Sequence, residues 1–200
     1  MMFRPVGGAG GRRRFLGGLL AAAAAGSAAG PMAGGGTAQA ARPRPRPRSR
    51  GGAVLAVAER QIGVPYSWGG GDRLGASLGY CEDGNGYLDG VCKGETTIGF
   101  DCSGLTLYCW YAGTGGAVQL GHYTVAQFHR GTPVERVNLA PGDLLFFSRS
   151  DAPLHHVGLY AGGNAMIHAA HTGTLVARLE NVFQDPVFGP QYVGAVRPGG

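Results

Sequence analysis

The sequence predicts an α+β domain, with helices first and an antiparallel sheet of about five strands after them. Three observations lead there. Apolar residues recur at helical spacing in segments before about residue 130, the pattern then switches to period two, and Gly, Pro and Asn punctuate the later runs. Two hundred residues suit one domain of ordinary size.

The first fifty residues differ in kind from the rest. They hold nine of the 17 Lys+Arg and no Asp or Glu, which leaves residues 51–200 with 8 basic and 12 acidic side chains, a formal net of −4. The high pI therefore comes from the leader. A mildly acidic folded part excludes a nucleic-acid-binding domain, which needs a basic surface. Residues 1–40 read as an export signal: Arg4 and Arg12-Arg13-Arg14, an apolar stretch from Phe15 through the alanines to Ala25, and a small-x-small site at Ala38-Gln39-Ala40. Arg12-Arg13-Arg14-Phe15-Leu16 is similar to a twin-arginine signal, with an Arg-rich general secretory signal as the alternative. The apolar stretch is about half the ~20 residues that span a bilayer, so stable membrane insertion is not expected. Residues 41–52 form an Arg/Pro linker. Alternating proline forbids a helix and favours an extended strand whose arginines grip an anionic polymer or serve only as a solvated spacer.

The domain is expected over 53–200. A first helix over 53–62 carries apolar residues at 54, 55, 58 and 62, and Gly63 and Pro65 stop it. A long glycine-rich loop follows from Trp68 to Gly99. A second helix spans 102–112 with Leu105, Cys109 and Ala112 on one face, and a short third one spans 124–130. Strands are expected at 144–147, 156–160, 165–169, 175–179 and 192–196.

The cysteines divide into three kinds. Cys81 and Cys92 bracket a short polar loop, where a disulfide would stabilise by about 3 kcal/mol on the loop-entropy model. A zinc site is the alternative, although no Cys-x-x-Cys or His pair accompanies them. The spacing of Asp83, Asn85 and Gly86 does not fit a calcium loop. Cys109 falls on an apolar face and reads as a buried structural thiol. Cys102 opens a helix, where unpaired N–H groups and the helix dipole favour a low-pKa, nucleophilic thiolate. A base comes from the second half. His156 and His168 lie on successive strands, an even number of residues apart. An odd hairpin loop such as 161–163 would turn both to one face, as a base and its orienting partner require; an even loop would separate them.

Five segments carry a resemblance: Pro65-Tyr66-Ser67-Trp68-Gly69-Gly70, Phe100-Asp101-Cys102-Ser103-Gly104-Leu105, Pro141 to Phe147, His156-Val157-Gly158-Leu159-Tyr160, and Met166-Ile167-His168-Ala169. In this order they resemble the NlpC/P60 cysteine peptidases over about residues 54–196. The resemblance implies a papain-like fold and cleavage of peptidoglycan stem peptides, commonly between γ-D-glutamate and a diamino acid. It implies Cys102 as nucleophile, His156 as general base and then acid, and His168 as the group orienting His156. It places the Tyr66 hydroxyl near the oxyanion position, with Asp101 and Ser103 facing substrate. No metal or organic cofactor is implied. The loop carrying Cys81 and Cys92 exceeds the family core and is expected to shape one wall of the cleft.

Blander readings stand beside these. His155 competes as the base, but strand alternation turns it to the other face. His122, His129 and His171 lie outside the motifs and read as surface histidines. Tyr66 and Trp68 read alternatively as core aromatics, the favoured reading for Trp68 alone, Asp143 reads as a turn residue, and Asp101 serves equally as a helix cap. The expected protein is a secreted, monomeric cell-wall endopeptidase. An acyl-transferring or amidase enzyme of the same fold, or a non-catalytic wall-binding module, is the alternative.

Overall fold

The computed structural model of the protein describes residues 49–199 apart from residue 153. The expected export signal and linker residues 41–48 lie outside the described residues. Helix α1 (Arg50–Glu59) begins three residues before its expected start, inside the stretch assigned to the linker. The cause is Ser49, whose hydroxyl accepts the Gly52 N–H at 3.1 Å and satisfies an otherwise orphan donor of the first turn. Val54, Val57 and Ala58 form its buried face. Helix α2 (Cys102–Gly113) crosses it closely: a Cβ on Gly113 would stand 2.6 Å from the Val54 Cα, so only glycine permits the approach.

In the glycine-rich loop, β1 (Tyr87–Leu88) and β2 (Val91–Cys92) make a two-stranded hairpin. Its turn residues Asp89 and Gly90 both have positive φ (51° and 75°), the geometry of a tight Asp-Gly hairpin turn. A disulfide joins Cys81 to Cys92 and occupies both thiols, so the zinc alternative is closed.

Helix α3 (Thr124–Phe128) leads into the main sheet. Six antiparallel strands run in the order β3 (Gly131–Val134), β8 (Tyr192–Pro198), β4 (Leu144–Phe147), β5 (His156–Gly162), β6 (Ala165–His168) and β7 (Ala177–Leu179). The α+β class is as expected, with one strand more. The extra strand, β3, is four residues long and contains Pro133. It pairs only with β8 and forms an edge, the place where a strand tolerates proline.

Every residue of β4 is buried, and alternation gives the sheet two covered faces. Leu144 and Phe146 join Val157, Leu159, Ile167 and the apolar sides of α1 and α2. Leu145 and Phe147 join Tyr160, Met166 and Ala195 under Phe183, Phe188 and Tyr192.

The turn between β5 and β6 decides which way the histidines face. Gly163 and Asn164 form a two-residue turn with φ of 60° and 64°, an even loop that pairs Gly162 with Ala165. Continued unbroken, that register would put positions 156 and 168 on opposite faces. The register shifts between Tyr160 and Gly162, and beyond the shift Tyr160 pairs with Met166 and Leu159 with Ile167. Ala161 is the extra residue of a β-bulge, and it returns both histidines to one face.

Candidate active site

Cys102 is the first residue of α2. Asp101 caps this helix: its Oδ1 accepts the Gly104 N–H at 2.6 Å and the Ser103 hydroxyl at 3.0 Å, and its Oδ2 accepts the Gly69 N–H at 3.1 Å. One carboxylate thus fixes the start of the helix and ties it to the glycine loop. The thiol has Thr124 Oγ1 as a neighbour at 3.9 Å.

His156 opens β5, pairs across the ladder with Phe147, and is buried. Its Nε2 lies 3.0 Å from Nδ1 of His168, also buried, with the rings near perpendicular. Phe188 packs against both rings, with centroids at 5.1 and 5.0 Å. Cys102, His156, Tyr66, Asp101 and Ser103 all line one cleft of about 1060 Å³. His168 does not line it; it stands behind His156. Among the described residues no hydrogen bond joins the thiol directly to either histidine.

The electrostatics correct one expectation. Cys102 was expected to be a low-pKa thiolate. Burial instead pushes its thiol up to about 12, with the Asp101 charge adding to the rise. The N–H groups of Val157 and Ser103 and the Thr124 hydroxyl oppose this without cancelling it. Helix-terminus stabilisation loses here to desolvation and a like charge. Burial, reinforced by His168, His155 and His171, holds His156 well below the usual histidine range. His168 is pushed down to about 4, mainly by burial. The resting pair is therefore a neutral thiol and a neutral imidazole. Burial, followed by the charges of Cys102 and Asp101, raises the Tyr66 phenol, which stays a proton donor.

Other expectations are redrawn. His155 does not turn away; it precedes β5, lines the same cleft, and has its Nε2 2.8 Å from Gln191 Oε1, whereas His156 is the one whose Nε2 meets His168. His122 is exposed, as expected of a surface histidine, but it also lines the cleft, with Nε2 3.0 Å from Asp101 Oδ1. His171 is exposed but also lines the cleft, whereas His129 is exposed with its ring edge-on to Phe128. Trp68 packs on the core and lines the cleft as well, its indole N–H buried without a partner. Asp143 holds a turn and is bound by Arg197 at 2.7 and 2.8 Å. Asp101 is a helix cap that also faces the cleft. Cys109 is a fully buried free thiol, as expected. Tyr80, Glu82, Asn85, Gly86 and Tyr87 bring the disulfide lobe to the cleft, where it forms a wall.

Thr124, His122 and Phe188 are cleft residues that sequence reasoning missed. Thr124 gives a weak signal as the first residue of a short helix. The other two give none, because loop packing alone brings them to the cleft.

The NlpC/P60 family profile matches residues 63–197, all five motifs included. The chain belongs to the NlpC/P60 family. Among NlpC/P60 proteins it is 36% identical over 141 residues to the peptidoglycan endopeptidase RipA of Mycobacterium tuberculosis, covering 70% of this chain and 26% of RipA. It is 38% identical over 117 residues to the peptidoglycan endopeptidase RipB of the same species, covering 58% of this chain and 42% of RipB. The chain thus spans about a quarter of RipA and under half of RipB. The solved structure of the peptidoglycan hydrolase RipB aligns with a TM-score of 0.54 at 31% identity, over 74% of this chain and 64% of that one. RipD, also of M. tuberculosis and described as a non-catalytic NlpC/P60 protein adapted to peptidoglycan binding, aligns with a TM-score of 0.57. Its identity is 27%, over 75% of this chain and 98% of RipD.

Proposed function

We propose that the protein is a secreted cysteine endopeptidase that hydrolyses peptidoglycan stem peptides at the γ-D-glutamyl–diamino acid bond. One observation carries this reading: Cys102 and His156 line a single cleft, and His168 Nδ1 is hydrogen-bonded to Nε2 of His156, leaving Nδ1 of His156 for the thiol proton. The similarity to RipA and RipB supports peptidoglycan as the substrate class. A cysteine and a histidine lining one cleft favour a hydrolase over a non-catalytic wall-binding module.

The chemistry begins from a neutral pair. His156 Nδ1 must be free to accept a proton, so its Nε2 carries the hydrogen and donates it to His168 Nδ1. As Cys102 Sγ bonds to the amide carbon, the thiol proton passes to His156 Nδ1 and the carbonyl oxygen becomes an oxyanion. The Tyr66 hydroxyl is the donor assigned to that oxyanion. Collapse breaks the C–N bond, and His156 gives its proton to the leaving amine. His156 then takes a proton from water as its oxygen attacks the thioester, and returns it to sulfur as the acid is released. His168, kept neutral by burial, accepts the Nε2–H throughout and fixes the ring.

The test is mass spectrometry of purified peptidoglycan after digestion. Muropeptides cut between D-glutamate and the diamino acid, absent with Cys102→Ala, are expected. Cleavage elsewhere would reassign the bond, transfer to an added amine would make the enzyme an acyltransferase, and binding without products would leave a wall-binding module.

A further inference from the structure

His122 lies on the loop between α2 and α3, outside every motif of the cysteine site, yet it is fixed against that site. Gln127 Nε2 donates to the carbonyls of Gly121 and Ser103, both at 2.8 Å, and so clamps the loop to the first turn of α2. Two residues on, Thr124 touches the thiol. Space for the imidazole is provided by Gly104, where a Cβ would come within 2.9 Å of His122 Nε2.

Asp101, the residue before Cys102, is buried in this corner. Of the four donors to its carboxylate, Gly104 N–H, Gly69 N–H and Ser103 Oγ are neutral. His122 is the fourth, at 3.0 Å, and alone can bring a charge. Two further charged groups face it: Asp72 from the glycine-rich loop, and Arg73, which lines a small cavity of about 220 Å³ with His122 and whose guanidinium lies 6.0 Å over the Tyr111 ring. Tyr66, Cys102, His155, His156 and His171 line the same cleft, as do the acids Glu82 and Asp185. The cation Arg149 also lines the cleft but pairs with Asp151 at 3.2 Å.

We propose that His122 is a positioning residue of the cysteine site: as a cation paired with Asp101 it cancels the carboxylate charge beside Cys102 and so favours loss of the thiol proton. Two directions of shift agree with this. The hydrogen bond to Asp101 and the charges of Asp101 and Asp72 raise His122 against its burial, which favours the cation. Asp101's charge raises both Cys102 and Tyr66, so an unopposed carboxylate would hold the thiol proton more tightly. The proposal rests on Cys102 being the nucleophile, but not on the identity of its substrate.

The experiment is therefore the rate of Cys102 alkylation by iodoacetamide against pH, mapped by mass spectrometry, in the wild-type domain, His122→Gln and His122→Arg. Folding is checked by circular dichroism. His122→Gln keeps a neutral donor to Asp101 and should slow alkylation at pH 7 about tenfold, with the thiol titrating about one pH unit higher. His122→Arg supplies a permanent cation and should restore the wild-type rate at pH 7. Above the histidine's own titration it should exceed the wild type, which has by then lost its cation. An unchanged rate in folded His122→Gln overturns the proposal. So does equal slowing in both variants, since a merely structural loop would respond to either change. Because no substrate takes part, neither result depends on which bond the enzyme cuts.

Discussion

At the residue scale, a buried thiol and a buried imidazole lining one cleft set how the cysteine reacts. The Cys102 thiol is raised to about 12 and His156 is held neutral, so little thiolate is present at rest. Iodoacetamide should label Cys102 before Cys109, because only Cys102 lines the cleft while Cys109 is wholly enclosed. The rate should climb steadily from pH 6 to 9. A flat rate over that range would reveal a preformed thiolate and refute the neutral pair, and labelling of Cys109 first would refute the site. The histidines should also differ in effect. His156→Ala removes the proton acceptor and is expected to lower kcat by about 10²–10⁴-fold. His168→Ala, which loses only the group fixing the ring, should leave measurable turnover. The double variant should be no worse than His156→Ala, since the two act as a unit. Additive losses would give His168 a separate task.

At the scale of elements, the disulfide lobe forms a wall of the cleft although little packs inside it. Its tip holds glycines, Asn85 and acids, and Tyr80, Tyr87, Leu88 and Val91 remain exposed. The cross-link between Cys81 and Cys92, eleven residues apart, supplies order that the apolar contacts do not. Cys81→Ser/Cys92→Ser is expected to fold, to lose up to about 3 kcal/mol of stability on the loop-entropy model, and to show a raised KM with kcat little changed. Steady-state kinetics on a defined muropeptide together with a thermal melt check this. An unchanged KM would remove the lobe from substrate binding.

The whole molecule should be sensitive to acid. His156 and His168 fold as neutral groups with lowered pKa values, whereas in the unfolded chain they titrate near 6.5. Below that pH the unfolded state binds more protons than the folded one, so stability falls as pH falls. The shift of His168 from 6.5 to about 4 corresponds to about 3 kcal/mol lost by pH 4, and His156 acts in the same direction. His122 has the opposite sign: its raised pKa adds stability below 6.5 that is lost as pH rises through the folded value, a partial offset from an ion pair whose histidine is partly exposed. Urea midpoints should drop between pH 7 and 4.5, and His168→Gln should flatten the drop. A midpoint independent of pH in the wild type would contradict burial of the neutral pair.

Much of this was legible in the chain itself. Helical spacing marked α1 and α2, period two marked five of the six strands of the main sheet, and the order of five motifs marked the family and pointed to Cys102, His156 and His168 as its candidate site. These signals are local, set by which residues alternate between core and solvent. The start of α1 was missed because one hydroxyl, on Ser49, decides it, and β3 because a four-residue edge strand with proline has no periodicity of its own. Only the tertiary structure decided three further matters. The even turn at Gly163-Asn164 would have parted the histidines, and the bulge at Ala161 returns them to one face, an outcome set by ladder register and not by spacing. Burial reversed the expected acidity of Cys102, because a thiol's desolvation depends on what covers it and not on its place in a helix. Loop packing brought His122 to Asp101 and Phe188 onto the two imidazoles, contacts between distant parts of the chain that no sequence pattern records.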